Sequence, residues 1–446
     1  MSEYNKILNR DSSVSNLDSK DYPDDHDSIT LSTQENQENQ VRNQDNQGQQ
    51  SSNQANQDKI KVQTFKQTEV GLIPEDWEVS RLGQIANFYN GKAHEQSIAE
   101  HGDYFVVNSK FISTEGKVFK NSKENICPLE KGTIVMVMSD IPNGKALAKC
   151  FMIPKDGKYT LNQRICAIKS DIVINEFLIR KLNRNDFYLA FDSGTGQTNL
   201  KKDDVLNCPV AYPALRSEQK AIAQVLSDTD ALIQTLEQKL AKKRAIKQGA
   251  MQQLLTPKED WMIKKLGEIA HFYNGKAHEK YIDAYGEFTV INSKFVSTSG
   301  NVSKNSTVNL SPLKKGDITM VMSDIPNGKA LAKCFIVPID NKYALNQRIC
   351  AIRAETVDND FLYLILNRNE YYLAFDSGTG QTNLKKNDVL ECPIPLPRTK
   401  SEQIQIANIL FDMDAEIAHL EQKLDKYKLL KQGLMQELLT GRIRLL

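Results

Sequence analysis

MVMSDIPNGKALAKCF, residues 136–151, recurs letter for letter at 320–335. LNQRICAI at 161–168 returns at 345–352, and FYLAFDSGTGQTNLKK at 187–202 returns at 371–386 with the single change of Phe187 to Tyr371. Every match lies at an offset of 184 residues, from the Trp77/Trp261 pair through Thr256/Thr440, with no insertion between them. A period that long is too large for a solenoid repeat and matches a whole domain plus a connector. Two near-identical modules on one chain predict pseudo-two-fold symmetry and a two-fold partner. Duplex DNA carrying an inverted sequence offers that symmetry most naturally.

The bulk composition narrows the class. A chain of 446 residues with 40% hydrophobic and 25% charged content reads as a soluble protein of two or three domains. No run approaches the ~20 consecutive apolar residues of a membrane span, and MSEYNKILNRDSSVSN at the N-terminus has no apolar stretch of the secretory kind. A cytoplasmic protein without membrane contact is expected. Six of the seven cysteines are repeat copies, Cys150/Cys334, Cys166/Cys350 and Cys208/Cys392, whereas Cys127 meets Ser311. Without a CxxC pair, buried free thiols in a reducing compartment are the expectation, and no metal is.

The net charge of +1 conceals a division. Residues 1–58 hold four Lys/Arg and eleven Asp/Glu, a net of −7, which leaves +8 on 59–446. A mildly basic body is compatible with nucleic acid without demanding it. The acidic segment, with its run STQENQENQVRNQDNQGQQSSNQANQD, lacks apolar residues to offset the entropy of ordering, so a disordered tail is expected over residues 1–66.

The first module runs from 67 to 215. It mixes short β-rich runs (Tyr104–Val107, Thr133–Met138, Arg164–Ile168) with turn signals and a helix expected over Glu176–Leu189, an α/β (mixed α+β) character; Pro209 and Pro213 close it. The second module spans 257–399. Between and after them, 216–256 and 400–446 change character. Ile406, Leu410, Met413, Ile417, Leu420, Leu424, Tyr427, Leu434 and Leu438 follow a 3/4 spacing in which Lys431 fills the one gap. Ile222, Leu226, Thr229, Ile233, Leu236, Leu240 and Leu254 occupy the same places in the first copy. Such a pattern is a coiled-coil seam. Ser217 and Ser401 are candidate N-caps, and Pro257 and Gly441 terminate the helices. At ~1.5 Å per residue each helix is about 60 Å long, more than a small domain is wide, so its seam needs a partner. The other copy is the obvious one, and the order module–helix–module–helix favours an antiparallel pair.

No catalytic constellation is present. Asn-Gly-Lys occurs four times, each followed by alanine and never in the spacing of a phosphate-binding loop. GTGQTN at 194–199 and 378–383 lacks the third glycine of a dinucleotide fingerprint. His94 and His278, in GKAHE, read as surface turn residues. What recurs instead is polar, small and basic: YNGKAHE, NSKF, SDIPNGK, NQR and SGTGQTNLKK. Asn and Gln can read adenine with two hydrogen bonds, Arg and Lys can read guanine, and lysines anchor phosphates. The candidate DNA-contacting residues are Lys110, Asn143, Lys145, Gln163, Arg164, Gln197, Asn199 and Lys201, with their copies Lys294, Asn327, Lys329, Gln347, Arg348, Gln381, Asn383 and Lys385. Taken singly, any of them also reads as a turn or solvated surface residue.

Four stretches carry a family resemblance: TEVGLIPEDWEVSRLGQIA (68–86), the SGTGQTNLKK–DVL–CP–P series (193–213, 377–397), SEQxxIAxxL (217–226, 401–410) and the KQGxMQxLLTGRIRL ending. In this order and twice over, they resemble the specificity subunit of type I restriction-modification systems, across 67–446. The resemblance implies that the modules are target recognition domains and that the helices are spacers docking two methyltransferase subunits. It also implies a chain without chemistry of its own, which directs partner subunits to methylate adenine or, through restriction subunits, to cleave. S-adenosylmethionine, ATP and Mg would then belong to those partners. Family members usually pair two different modules; near-identical ones should read one half-site twice, in inverted orientation. The acidic tail is uncommon in the family. Other readings stay open: a specificity subunit for a fused restriction-methylation enzyme, a two-fold scaffold for a non-DNA partner, or an enzyme with unrecognised motifs.

Overall fold

In this computed structural model, residues 64–141, 145–325, 330–376 and 378–445 are described, so nearly all of the expected disordered tail lies outside them. They form two compact units, one of residues 64–241 with 419–445, the other of residues 242–418. Each unit is one module, the N-terminal part of the helix that follows it, and the C-terminal part of the other long helix.

In the first unit, Trp77–Arg81 pairs antiparallel with Pro209–Pro213, so the entry and exit of the module run side by side. Between them lies a four-stranded antiparallel sheet in the order Asn87–Asn90, Ile165–Lys169, Ile134–Val137, Cys150–Met152. A three-stranded sheet places Tyr104–Val107 between Tyr159–Leu161, which runs parallel to it, and Lys120–Ser122. The continuous apolar runs have a physical reason. Ile134, Met136, Cys166 and Ile168 enter one core with Trp77, Phe177 and Tyr188, while Val135, Val137, Ile165 and Ala167 enter a second with Phe111 and Leu161. Side chains alternate across a strand, so a sheet covered on both faces needs apolar residues at every position. Each fully buried large side chain is worth about 1.5–3 kcal/mol of transfer free energy. The second unit repeats the plan, with the order Ala270–Asn274, Ile349–Ala354, Ile318–Val321, Cys334–Ile336 and two cores on its faces.

All seven cysteines are buried and free. Burial pushes their thiols up, Cys166 and Cys350 to about 12 and Cys392 to about 11.

Two local expectations are corrected. The helix expected over Glu176–Leu189 is two helices, Asn175–Leu182 and Asp186–Leu189. Arg184 takes a positive φ of 55°, its N–H bonds the Ala148 carbonyl, and Asn185 caps the second helix at Phe187 N. Asn183 Oδ1 meanwhile accepts from Cys150 N, tying the break to the sheet. Ser217 and Ser401 are not N-caps: the long helices run Arg216–Leu255 and Lys400–Leu439, so both serines sit within the first turn. Thr399 Oγ1 accepts from Glu402 N in the second. Gln219 and Gln403 do the anchoring. Each is buried, donates to the carbonyl of an exit proline (Pro213, Pro397) and accepts from the start of the module helix (Ile174 N, Asp358 N).

The long helices pair antiparallel within each unit. In the first, Asp230 meets Lys431 at 2.5 Å and Glu237 meets Lys428 at 2.8 Å. In the second, Lys243 pairs with Glu416 and Lys247 with Asp414. Asp230–Lys431 and Asp414–Lys247 are repeat images of one another, so the lysine interrupting each seam answers an aspartate on the opposite helix. Burial pushes the Asp230 carboxyl up, but hydrogen bonds from Lys431 and Arg180 outweigh it and hold its pKa below the ordinary value. Of the seam residues, Ile222, Leu226, Leu236, Leu240, Ile406, Leu410, Leu420, Leu424 and Leu438 are buried. Thr229, Ile233, Leu254, Met413, Ile417, Tyr427 and Leu434 are half-buried.

The C-terminal helix is tied into the first unit at its end. Arg444 forks onto the buried Glu218 and onto Asp76, and Lys181 Nζ donates to the Leu439 carbonyl at 2.9 Å. Gly441 has φ of 71°, and a Cβ there would lie 2.5 Å from Pro74 Cγ. Gly441→Ala is therefore expected to lose at least about 1–2 kcal/mol, from the left-handed backbone alone, in urea unfolding of the full chain. Burial lowers the Lys181 pKa to about 8. The unfolded chain keeps that proton to about pH 10.4, so the native state binds fewer protons across this window and Lys181 contributes stability that grows as pH rises from 8 to 10. In Lys181→Met, the thermal midpoint should rise less over that window than in the parent chain.

Candidate nucleic-acid interface

In each module three polar stretches converge on one methionine. Met138 N donates to the Arg164 carbonyl at 3.2 Å, and the Met138 carbonyl accepts from Leu200 N at 2.7 Å. Met322 does the same with Arg348 and Leu384 at 3.1 and 2.8 Å. SDIPNGK, NQR and GQTNLKK, far apart in sequence, thus meet at one place.

The centre is a two-residue antiparallel ladder in which Ser139 faces Asn199 and Asp140 faces Thr198. Gln197 Nε2 donates to Ser139 Oγ at 2.6 Å and to Asn199 Oδ1 at 3.2 Å. In the second copy Gln381 Nε2 donates to Ser323 Oγ and Asn383 Oδ1 at the same two distances. The opposite face of the ladder is structural. Asp140 accepts from Ile141 N, Ala146 N and Leu147 N at 2.9, 2.6 and 3.0 Å, and Asp324 accepts from Ile325 N, Ala330 N and Leu331 N. Asp192 and Asp376 each accept from a glycine N–H and a threonine hydroxyl (Gly194 and Thr198; Gly378 and Thr382). Both loops are therefore held by carboxylates that satisfy backbone donors.

Gln197, Asn199, Gln381 and Asn383 are exposed on this ladder, and Gln163, Arg164, Gln347 and Arg348 are exposed beside it. Lys201 and Lys385 are exposed at the N-caps of the helices that follow. Lys145 is exposed on the SDIPNGK loop, whereas Asn143, Asn327 and Lys329 lie outside the described residues. Lys110 and Lys294 are exposed on separate short helices capped by Asn108 and Asn292. The copies differ in detail: Gln163 Nε2 donates to Glu95, Gln347 N donates to Asn346 Oδ1, and Ser323 Oγ also donates to Asn383 Oδ1 at 2.6 Å.

His94 and His278 are corrected: both are buried, not surface turn residues. His94 bridges the Lys92 carbonyl and Thr160 Oγ1 at 2.7 Å each. His278 Nε2 accepts from Leu310 N, so its Nδ1 carries the proton donated to the Lys276 carbonyl. A neutral ring with one donor and one acceptor can cross-link two backbone segments, which a surface site does not require. Next to it the backbones touch: a Cβ on Gly91 would lie 2.0 Å from the Asn162 carbonyl oxygen.

Sequence reasoning passed over Ser139/Ser323, the organising aspartates and the exposed Ile141/Ile325. The available signal was an Asp immediately before each repeated turn. Asp140→Ala should accelerate amide hydrogen exchange at Ala146 and Leu147 without changing exchange in the strand Ile165–Lys169.

A family model described as type I restriction modification DNA specificity domain matches residues 74–243 and again 258–428. The type I restriction enzyme MjaVIII specificity subunit of Methanocaldococcus jannaschii is 26% identical over 426 residues, 86% of this chain and 97% of that protein. The MjaIX specificity subunit of the same organism is 27% identical over 187 residues, 38% of this chain and 41% of that one. The crystal structure of a type I restriction-modification system S subunit from M. genitalium superimposes with a TM-score of 0.54 at 17% identity, covering 81% of this chain and 96% of that one, a likeness of fold. With both repeats matched, the chain belongs to the type I restriction-modification DNA specificity family.

Proposed function

We propose that each module reads one half of a bipartite, near-palindromic DNA target, and that the paired helices set the gap and dock two methyltransferase subunits. The observation that carries this is the duplicated Gln–Ser–Asn arrangement, in which Gln197 and Gln381 donate to equivalent serines and asparagines at the same distances. Two identical reading faces favour one half-site read twice.

On this reading the chain performs no chemistry. The candidate DNA residues are those named above, Lys110 through Lys201 and their copies. S-adenosylmethionine, ATP and Mg act on the modification and restriction subunits, and the complex works in the cytoplasm. Among the described residues, no helix is long and apolar enough to cross a membrane.

Methyladenine mapping of the host genome, with and without this gene, tests the reading. A two-part inverted motif that disappears on deletion is the expected result; loss of an asymmetric motif would contradict equal modules, and an unchanged methylation map would contradict the function. Deleting seven residues from each long helix shortens the spacer by about 10 Å. The mapped gap should then shrink by about three base pairs, at 3.4 Å each, with both half-sites unchanged.

A further inference from the structure

We propose that Ile141 and Ile325 are specificity-determining residues that recognise thymine through its 5-methyl group, beside the adenine-reading amides of the ladder. The proposal rests on the reading above, that each module binds duplex DNA. Ile141 is 69% exposed and Ile325 68%. A lone exposed apolar residue is ordinary, but these two have their backbone held in place. Asp140 and Asp324 accept from the isoleucine N–H itself and from two amides on the far side of the loop. Other apolar positions are exposed in both copies, among them Tyr89/Tyr273, Ile98/Ile282, Val118/Val302 and Phe191/Phe375, but at 37–46%, so Ile141/Ile325 is the pair that stands furthest into solvent.

The register places the isoleucine. Ser139 faces Asn199 and Asp140 faces Thr198; carried one residue further, that register sets Ile141 opposite Gln197. Alternate residues share a face, which puts Ser139 and Ile141 on the same side as Gln197 and Asn199. The Gln197–Ser139 and Gln197–Asn199 hydrogen bonds lie on that side. Ile325, Gln381 and Asn383 are arranged alike.

The hydrogen bonds then decide which base edge fits. Both N–H groups of Gln197 are used within the ladder, leaving its Oε1 as an acceptor. Asn199 Oδ1 accepts within the ladder, and its Nδ2 remains as a donor. The face therefore offers a donor at Asn199, an acceptor at Gln197 and, across from Gln197, the apolar side chain of Ile141. The major-groove edge of an A·T pair presents the N7 acceptor and N6 donor of adenine, then O4 and the methyl group of thymine. The donor and acceptor match adenine N7 and N6, and the apolar side chain matches the thymine methyl group. A G·C pair offers no methyl group and places a second acceptor where Gln197 Oε1 would accept.

The test uses the full chain with its modification subunits and duplexes carrying the mapped target. Deoxyuridine replaces thymine one position at a time, and binding is measured by competition at fixed salt. Because each methyladenine pairs with thymine, every half-site offers at least one position. The parent complex should bind about three- to fivefold more weakly at one thymine per half-site, the worth of one buried methyl. The double variant Ile141→Ala, Ile325→Ala should bind the thymine duplex correspondingly more weakly and lose all sensitivity to deoxyuridine. Its thermal midpoint should match the parent's, since both side chains are exposed. Equal binding of thymine and deoxyuridine duplexes by the parent at every position would overturn the proposal, as would full deoxyuridine sensitivity in the double variant. A parent complex that does not distinguish the mapped duplex from a scrambled one would instead overturn the DNA-reading assignment itself.

Discussion

Leu434 and Leu438 of the C-terminal helix complete the core around Trp77, Phe177 and Leu226, and Met251 and Leu254 of the central helix complete the one around Trp261, Phe361 and Leu410. Each module thus finishes its core with a helix that the other repeat supplies. The rest follows from this constraint. A 40-residue amphipathic helix has more seam than its own module covers, and the antiparallel partner takes up the excess. The lysine in each seam is tolerated because an aspartate on the opposite helix meets it. Such an ion pair adds modest stability but penalises other registers, since a slipped helix would bury the lysine unpaired.

Within each module the doubly covered sheet plays the corresponding part. Four strands with apolar residues on both faces form a rigid slab, and the polar loops grow from its ends at Met138 and Met322. Asp140 and Asp324 turn inward to hold the described residues on either side of each turn, and the amides of Gln197, Asn199, Gln381 and Asn383 stay exposed. Under the proposed function such a surface is pre-organised and spends little ordering entropy on binding.

The copies keep the residues of this surface and diverge in the supports beneath it. Arg353 forks onto the buried Asp317 and lies over the Tyr273 ring at 4.8 Å. In the first module the equivalents are Lys169 and Thr133, and Lys169 reaches Glu130 instead. Lysine lacks the planar fork that such a bidentate pair needs, so the two changes go together. Lys181, which holds the Leu439 carbonyl, is replaced by the apolar Ile365.

The sequence by itself determined the duplication, the mixed α/β modules, the long helices and the family, because repeats and periodicities are properties of the chain's order. It marked SDIPNGK and SGTGQTNLKK as surface motifs, since Gly, Asn and Pro read locally as turns. What only the tertiary structure decided depends on contacts between distant residues. The break at Arg184 answers a carbonyl at Ala148, and the histidines of GKAHE are buried because Thr160 and Leu310 come to meet them. Nor does local order reveal that Gln197 spends its donors on Ser139 and Asn199, 58 residues away and two residues away. That expenditure sets which hydrogen-bonding groups remain for a ligand, and it exists only once the two loops lie side by side.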